Sequence, residues 1–537
     1  MSAEATTTAA PFTGESLYTP VADIASVVTS LRKAYSTGST RPIAERKKHL
    51  QRLHDGLKAL EDKLAQAIYD DMRRSPFQNK MLEVWPSQQE CKEYIDNIDA
   101  WAKPEKVTDA GITFVMDKLE IRHEPQGVVL IVGPWNYPIR LLILPLIGAI
   151  AGGNVVIIKP SEVAPHTMAV LTELVTKYLD PNVVRVVNGG VEQSTELLTH
   201  RFDHVFYTGA GTIGKIYMSS CAKHLTPVTL ELGGKSPVIV DSDHEDIERA
   251  AERIAFGKYL NVGQTCIAPD YVLVLRSVHD KFVEYVSKAI TKAYGENPKE
   301  SKDYSRIISA RHFHRLRNLL LANQKSNPDI KLLTGSNKPL SVDADFDEAD
   351  LYIPPTIVTG VGKHDELMAD ELFGPYLPII PVDSIEEAVE YVNSKEYPLA
   401  LYAFSSNRAH ADYILNNTRS GDALVNDVTM HIVCNKLPFG GFGPSGIGAY
   451  QGKHSFHTFT HKRSVMIRNA TGPYKLDAVR FMPLSGEANE WKQDAVLTLL
   501  YPPAESERNF LSRMVRKIPG VPTLVNLVYV IKLLLIS

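Results

Sequence analysis

Few residues in this chain offer chemistry, and fewer offer it at a telling spacing. Its four cysteines, Cys91, Cys221, Cys266 and Cys434, lie far apart. They suggest neither a disulfide framework nor a zinc ribbon, and point to a reducing compartment. A lone thiol is most often a small buried hydrophobe, so Cys266 by itself nominates nothing. The stretch 204–224 carries more information. It reads as a strand, then Gly209, Gly211 and Gly214 in GxGxxG spacing, then a helix. Glycines there permit a tight turn and let a pyrophosphate approach backbone N–H groups at a helix start. The bland alternative is a glycine-rich turn with no ligand. Taken literally, the fingerprint gives the ribose to an acidic residue about 20 positions on, which nominates Glu231.

Three more segments change that assignment. Pro134-Trp135-Asn136-Tyr137-Pro138, Glu231-Leu232-Gly233-Gly234-Lys235 and Gly263-Gln264-Thr265-Cys266 occur in this order. Each is weak alone, but the ordered set resembles the aldehyde dehydrogenase superfamily. The tyrosine after Asn136, the run 263–271 (GQTCIAPDY) and the ending 438–456 (PFGGFGPSGIGAYQGKHSF) look most like the class 3 branch that includes fatty aldehyde dehydrogenase. The likeness covers roughly 18–469.

The resemblance implies roles. Cys266 becomes the nucleophile, because a thiohemiacetal can lose hydride and leave a thioester that still hydrolyses. The amide of Asn136 resembles the oxyanion donor that works with the backbone N–H of Cys266; otherwise it is an asparagine in a turn between two prolines. Glu231 becomes the general base for the attacking water instead of a ribose ligand. Lys159 and Glu162, after the strand 155–158, match the positions that hold the adenosine ribose. A carboxylate there accepts from ribose hydroxyls and repels a 2′-phosphate, which favours NAD, with NADP tolerated. Gly209 and Gly214 belong to the phosphate turn, and Glu371 and Phe373 match the pair that positions the nicotinamide ribose and ring. Ala210 and Gly211 stand where the family often has polar residues, so no side-chain contact to phosphate is expected there. His454, His457 and His461 are spaced as if on one helical face, but no Cys or acidic ligand accompanies them and the chemistry needs no metal.

These residues need elements to place them. Short strand-like runs at 127–132, 155–158, 183–187 and 204–207 alternate with helix-length stretches, which predicts a parallel sheet covered on both faces. A second α/β rhythm follows Glu231, with strands at 238–240, 271–275 and 400–404. Leu50, Leu53, Leu57, Leu60 and Leu64 recur at helical spacing, so the first hundred residues should be helical hairpins. The stretch 112–122 alternates apolar and polar residues and fits a ribbon that pairs with a partner subunit. The resemblance thus implies an α/β fold with a Rossmann-type NAD-binding domain (18–105 and 126–233), an α/β catalytic domain (234–433) and a small β oligomerisation ribbon (106–125 and 434–468). A flexible leader (1–17), an extension (469–517) and a hydrophobic tail (518–537) complete the chain, and a homodimer is implied.

A net charge of −4 with 44% hydrophobic and 22% charged residues gives no basic surface for nucleic acid. Residues 1–31 contain no Lys or Arg, unlike a secretory or mitochondrial leader. The uncharged run 141–158 is broken by Pro145, Gly148, Gly152, Gly153 and Asn154 and reads as helix, turn and strand. The tail differs. Over 521–536 only Thr523, Asn526 and Lys532 are polar, and Arg513, Arg516 and Lys517 precede it. This predicts a membrane anchor with the enzyme body facing the cytosol, on the endoplasmic reticulum, the mitochondrial outer membrane or a lipid droplet. The rival is a helix docked on the protein. Residues 500–517 are a candidate lid or gate near the tunnel mouth, for which the sequence gives no geometry.

The expected activity is NAD(P)-dependent oxidation of medium- to long-chain fatty aldehydes. Aromatic aldehydes are the alternative substrate. A CoA-acylating relative would generally lack Glu231, and a non-catalytic scaffold should have lost Cys266, Asn136 or Glu231; all three are present.

Overall fold

The computed structural model describes residues 12–108, 114, 117–468 and 485–486. The anchor expected at 518–537 and the lid expected at 500–517 lie outside the described residues. Two compact units form, the described parts of Met1–Ala102 with Glu124–His461, and of Lys103–His123 with Lys462–Ser537.

The first unit is built on two sheets. One has six strands in the order Gly446–Ile447, Val228–Glu231, His204–Thr208, Val128–Val132, Val155–Lys159 and Val184–Val186. Its neighbours run parallel, except that Gly446–Ile447 is antiparallel to Val228–Glu231. The central strands are apolar on both faces because helices cover both. Period-two alternation divides them. Val128, Leu130 and Val132 join Ile24, Val27 and Leu31 of the helix Val21–Ser36 in one core. Val129 and Ile131 point the other way, into the main core.

The second sheet has seven strands in the order Lys331–Leu333, Thr356–Thr359, Tyr376–Val382, Tyr271–Leu275, Pro237–Val240, Ala400–Phe404 and Asp422–Val425. Only Lys331–Leu333 runs antiparallel to its neighbour. The run 141–158 is a buried helix, Arg140–Ala151, followed by the strand Val155–Lys159. The leucine series 50–64 is buried throughout, but on two helices, Ile43–Ala59 and Glu61–Met72, with the break at Leu60. The leader drawn as flexible to residue 17 is tied down at its end. Glu15–Leu17 forms a short helical turn, and Asn188 Nδ2 donates to the Leu17 carbonyl at 3.3 Å.

A three-stranded sheet, Glu105–Lys106, Lys118–Pro125 and Thr460–Ile467, belongs to the second unit except for Glu124, Pro125, Thr460 and His461. Of the ribbon read at 112–122, residues 112, 113, 115 and 116 lie outside the described residues; the strand Lys118–Pro125 runs antiparallel to Glu105–Lys106 in the register Glu105↔Ile121. Residues 434–461, drawn with the bridging segments, belong by contact to the first unit.

Candidate active site

In the six-stranded sheet the register aligns the strand ends. Val132 lies opposite both Lys159 and Tyr207, and Thr208 opposite Glu231. Lys159, Thr208 and Glu231 therefore share the carboxyl edge, with Asn136 in the loop that leaves Val132. A ligand site in an open parallel sheet belongs at this edge.

Cys266 approaches from the other sheet, in the loop between the short turn Leu260–Gly263 and the strand Tyr271–Leu275. Asn261, Val262 and Gly263 have φ of 53°, 48° and 75° in succession. A β-branched residue in the left-handed region costs on the order of 1–3 kcal/mol and persists only where its surroundings impose it. Here they do. Gln264, fully buried, donates to the carbonyls of Asn261 at 3.3 Å and Arg306 at 3.1 Å, and accepts from Ile308 N–H at 3.0 Å. Gly263 is required, because a Cβ there would lie 2.2 Å from the Gly374 carbonyl oxygen.

The same loop fixes Asn136. Its Nδ2 donates to the Gln264 carbonyl at 3.1 Å, and its own carbonyl accepts from Asn261 Nδ2 at 3.1 Å. An amide nitrogen carries two donors, so one remains for a reacting oxygen.

Cys266 is only partly buried because it lines two cavities. One, of about 220 Å³, also holds Asn136, Gly209, Glu231, Gly233, Glu371 and Phe373. The other, of about 450 Å³, is mainly apolar, with Leu82, Leu141, Leu144, Phe256 and Ile432 among its walls.

The titrating groups between them are displaced. Burial pushes the Cys266 thiol well above its ordinary range, and the nearby carboxyls of Glu371 and Glu231 add to this. The N–H groups of Cys266 and Ile267 oppose the shift. Burial likewise raises Glu231 well above the usual carboxylate range, with Asp422 adding to it. Neither Glu231 oxygen has a hydrogen-bond partner among the described residues. Glu371 is pushed up to about 8 by burial and Asp270. At rest the site favours neutral thiol and neutral carboxyl groups.

The residues singled out in the sequence are not all in one place. Cys266, Asn136, Glu231, Glu371, Phe373 and Gly209 share the smaller cavity. Gly214 lies in the first turn of the helix Gly211–Ala222, where a Cβ would sit 2.9 Å from Leu232 Cδ2. Lys159 and Glu162 stand together on the neighbouring strand end, with Nζ donating to Glu162 Oε2 at 3.2 Å. That donor and acceptor set suits a ribose, and the smaller cavity suits a flat ring. A Cβ on Gly233 would lie 2.2 Å from Glu371 Oε2, so the glycine keeps the carboxyl in place. His454 and His457 lie on the helix Lys453–Thr458, but His461 is on the strand Thr460–Ile467, so the three do not share a helical face. Among the described residues, the ligand-spaced cluster is Asp241, Asp243 and His410, hydrogen-bonded through Ser405 and His410 itself.

Sequence reasoning missed three lining residues. Trp135 packs against His312 with ring centroids 5.0 Å apart and edge-on to Phe373 at 5.3 Å. Arg315 donates to the Leu372 carbonyl at 2.6 Å. His312 and Arg315 sit on the helix Ala310–Ser326, remote in sequence from any motif. Phe373 is held at φ 49°, again strain beside the site.

The aldehyde dehydrogenase family model matches residues 2–465. Aldehyde dehydrogenase family 3 member A2 of Pongo abelii is 44% identical over 86% of this chain and 92% of its own. The dimeric NADP-preferring aldehyde dehydrogenase of Rattus norvegicus is 42% identical over 84% of this chain and 95% of its own. The substrate-bound state of Staphylococcus aureus AldH superposes with a TM-score of 0.82 at 37% identity, covering 88% of this chain and 99% of that one.

Proposed function

The chain belongs to the aldehyde dehydrogenase family and is an NAD(P)-dependent enzyme that oxidises aldehydes to carboxylic acids; from this premise we propose that it works through a thioester on Cys266 and acts on medium- to long-chain aliphatic aldehydes. One observation carries the proposal: Cys266 is in the wall of both cavities, the polar one and the apolar one.

Lys159 and Glu162 would hold the adenosine ribose, Glu371 and Phe373 the nicotinamide end, with Gly209 and Gly214 in the phosphate turn. The oxidised cofactor supplies a hydride acceptor and a positive charge. Burial keeps Cys266 as a thiol, so its proton must pass to a base; the ionised form of Glu231, which lines the same cavity, takes it and releases it to solvent before deacylation. The thiolate sulfur bonds the aldehyde carbon, and the carbonyl oxygen takes the electron pair. The free N–H of Asn136 and the backbone N–H of Cys266 stabilise that oxygen. As the oxygen re-forms its double bond, hydride leaves the carbon and a thioester remains. Glu231 then takes a proton from water, the hydroxyl adds to the acyl carbon, and the sulfur departs with its electron pair. A carboxylic acid leaves.

An apolar cavity of about 450 Å³ lies within the range of about 300–1,000 Å³ typical of small-molecule sites. Its aliphatic walls favour an alkyl chain. A family relative whose name specifies a dimeric, NADP-preferring enzyme supports a homodimer and tolerance of NADP beside NAD. We assign the three-stranded sheet to the oligomerisation ribbon and the apolar segment 518–537 to membrane attachment with the catalytic body facing the cytosol. No helix among the described residues is long and apolar enough to cross a membrane.

Steady-state rates with an aldehyde series from two to eighteen carbons, and with benzaldehyde, test the substrate with NAD and NADP in parallel. Rising kcat/KM with chain length is the expected result; preference for benzaldehyde would overturn the aliphatic assignment. Removing 518–537 should move the protein from the membrane to the soluble fraction after a salt wash, and continued pelleting would overturn the anchor.

A further inference from the structure

The loop that carries Asn136 rests on a charged pair with no motif and no exposure. The helix Glu61–Met72 ends at Arg73, whose φ of 59° turns the chain and sends Arg74 inward. After the short helix Pro76–Asn79, one wide π-type turn, Lys80–Val84, brings Glu83 to face it. Such turns are rare and often mark functional positions. Both side chains are fully buried, and Arg74 Nη2 donates to Glu83 Oε1.

Their remaining groups are used. Arg74 Nε donates to Asn79 Oδ1 at 2.6 Å, and Asn79 is held by donating to the carbonyls of Ala65 and Arg74, each at 2.8 Å. Arg74 Nη1 donates to the carbonyl of Asn136 at 3.3 Å, and its guanidinium lies 4.8 Å above the Tyr137 ring. Glu83 Oε2 accepts from the N–H groups of Ile139 at 2.8 Å and Arg140 at 3.1 Å, where the helix Arg140–Ala151 begins. The pair thus grips both ends of the segment 136–140. Between them the Tyr137 hydroxyl hydrogen-bonds Thr265 Oγ1 at 2.9 Å, one residue from the nucleophile.

Stability alone is a poor reason for such a pair, since well-packed apolar residues often replace a buried ion pair at no loss. Geometry is a better one. Asn136 has one N–H tied to Gln264 and one for the reacting oxygen, and a shift of about 1 Å in a positioned group can cost roughly 10²-fold in rate. We infer that Arg74 and Glu83 are positioning residues that aim the Asn136 amide at the oxygen of the Cys266 adduct. This rests on the reading of Asn136 as the oxyanion donor.

A double-mutant cycle on the pre-steady-state burst of NADH tests it, with saturating NAD and a long-chain aldehyde. The proteins are the parent, Arg74→Lys, Asn136→Ala and the double variant. Arg74→Lys should slow the burst about tenfold or more, with KM for NAD and aldehyde changed less than about threefold. In the Asn136→Ala background the same change should cost less than about twofold. Equal losses in the two backgrounds, or none in either, would overturn the inference, because a merely structural role does not depend on Asn136. An unchanged burst in Asn136→Ala alone would instead remove the donor reading itself. Glu83→Gln, which keeps the shape and an acceptor oxygen, runs the same cycle should Arg74→Lys fail to fold.

Discussion

On one side of Cys266 lies a cavity of about 450 Å³ with Leu82, Leu141, Leu144, Phe256 and Ile432 in its walls; on the other, a cavity of about 220 Å³ brings Glu231, Glu371, His312 and Arg315 around the same sulfur. The first offers an alkyl chain removal from water, worth about 0.8 kcal/mol per buried methylene, and little orientation. The second offers displaced protonation states. Glu231 and Glu371 are held up by burial and His312 is lowered to about 4 for the same reason. On the proposed mechanism one low-dielectric region selects substrate and the other prepares proton transfers, and Cys266 lines both. The larger cavity also has Glu90 and Arg140 in its lining; a carboxyl in such a wall costs affinity unless paired, and Glu90 accepts from the Gly452 N–H at 2.8 Å.

This contrast can be broken from either side. Cys266→Ala, which touches both cavities, should lower NADH formation by about 10⁴-fold or more. Normal turnover in that variant, measured by absorbance of NADH, would falsify the covalent scheme. Glu231→Gln should lower steady-state turnover by about 10²-fold or more. If Glu231 works as a base, its raised pKa means that parent deacylation should climb as pH rises through that pKa, and the Gln variant should lose this limb in a quenched-flow pH series.

Smaller effects sharpen the same distinction. Glu162→Gln should improve the NADP-to-NAD ratio of kcat/KM by about tenfold while leaving chain-length preference alone, since one charge near the ribose is removed. Phe256, half exposed at the tunnel wall, should affect only the other side. Phe256→Ser should raise KM about fivefold for long aldehydes and leave two- and three-carbon substrates unchanged. An equal effect on short and long chains would remove Phe256 from the alkyl path.

The smallest effect is on stability. The unfolded carboxyl of Glu231 ionises near its ordinary value of 4.5, and the folded one higher. Between these values the fold binds a proton that the unfolded chain does not, so stability falls as pH rises through the window. Glu231→Gln lacks this term. Its melting temperature should exceed that of the parent by about 2 °C more at pH 8 than at pH 5 in differential scanning calorimetry.

Much of this molecule was legible along the chain. The strands 271–275 and 400–404 were read with their observed ends, because short apolar β-branched and aromatic runs bounded by breakers fit a buried parallel strand and little else. The ordered motifs also singled out Asn136, Glu231 and Cys266, and the fold draws the three into one cavity. By contrast, the ribbon strand read to Arg122 runs on to Pro125. Alternation gives a strand its faces, but partner strands fix its ends and register.

Local pattern therefore determined the parallel sheets, and the resemblance carried by the ordered motifs gave the family and nominated Cys266. Tertiary structure alone decided that Glu231 has no partner for either oxygen among the described residues, that Trp135, His312 and Phe373 form one wall, and that Arg74 and Glu83 brace the loop of Asn136. The reason is physical. A secondary-structure period and a turn are set by neighbours a few residues apart, whereas burial, pKa and the partner of a side chain depend on atoms that the sequence separates by a hundred residues and the fold brings within a few ångströms.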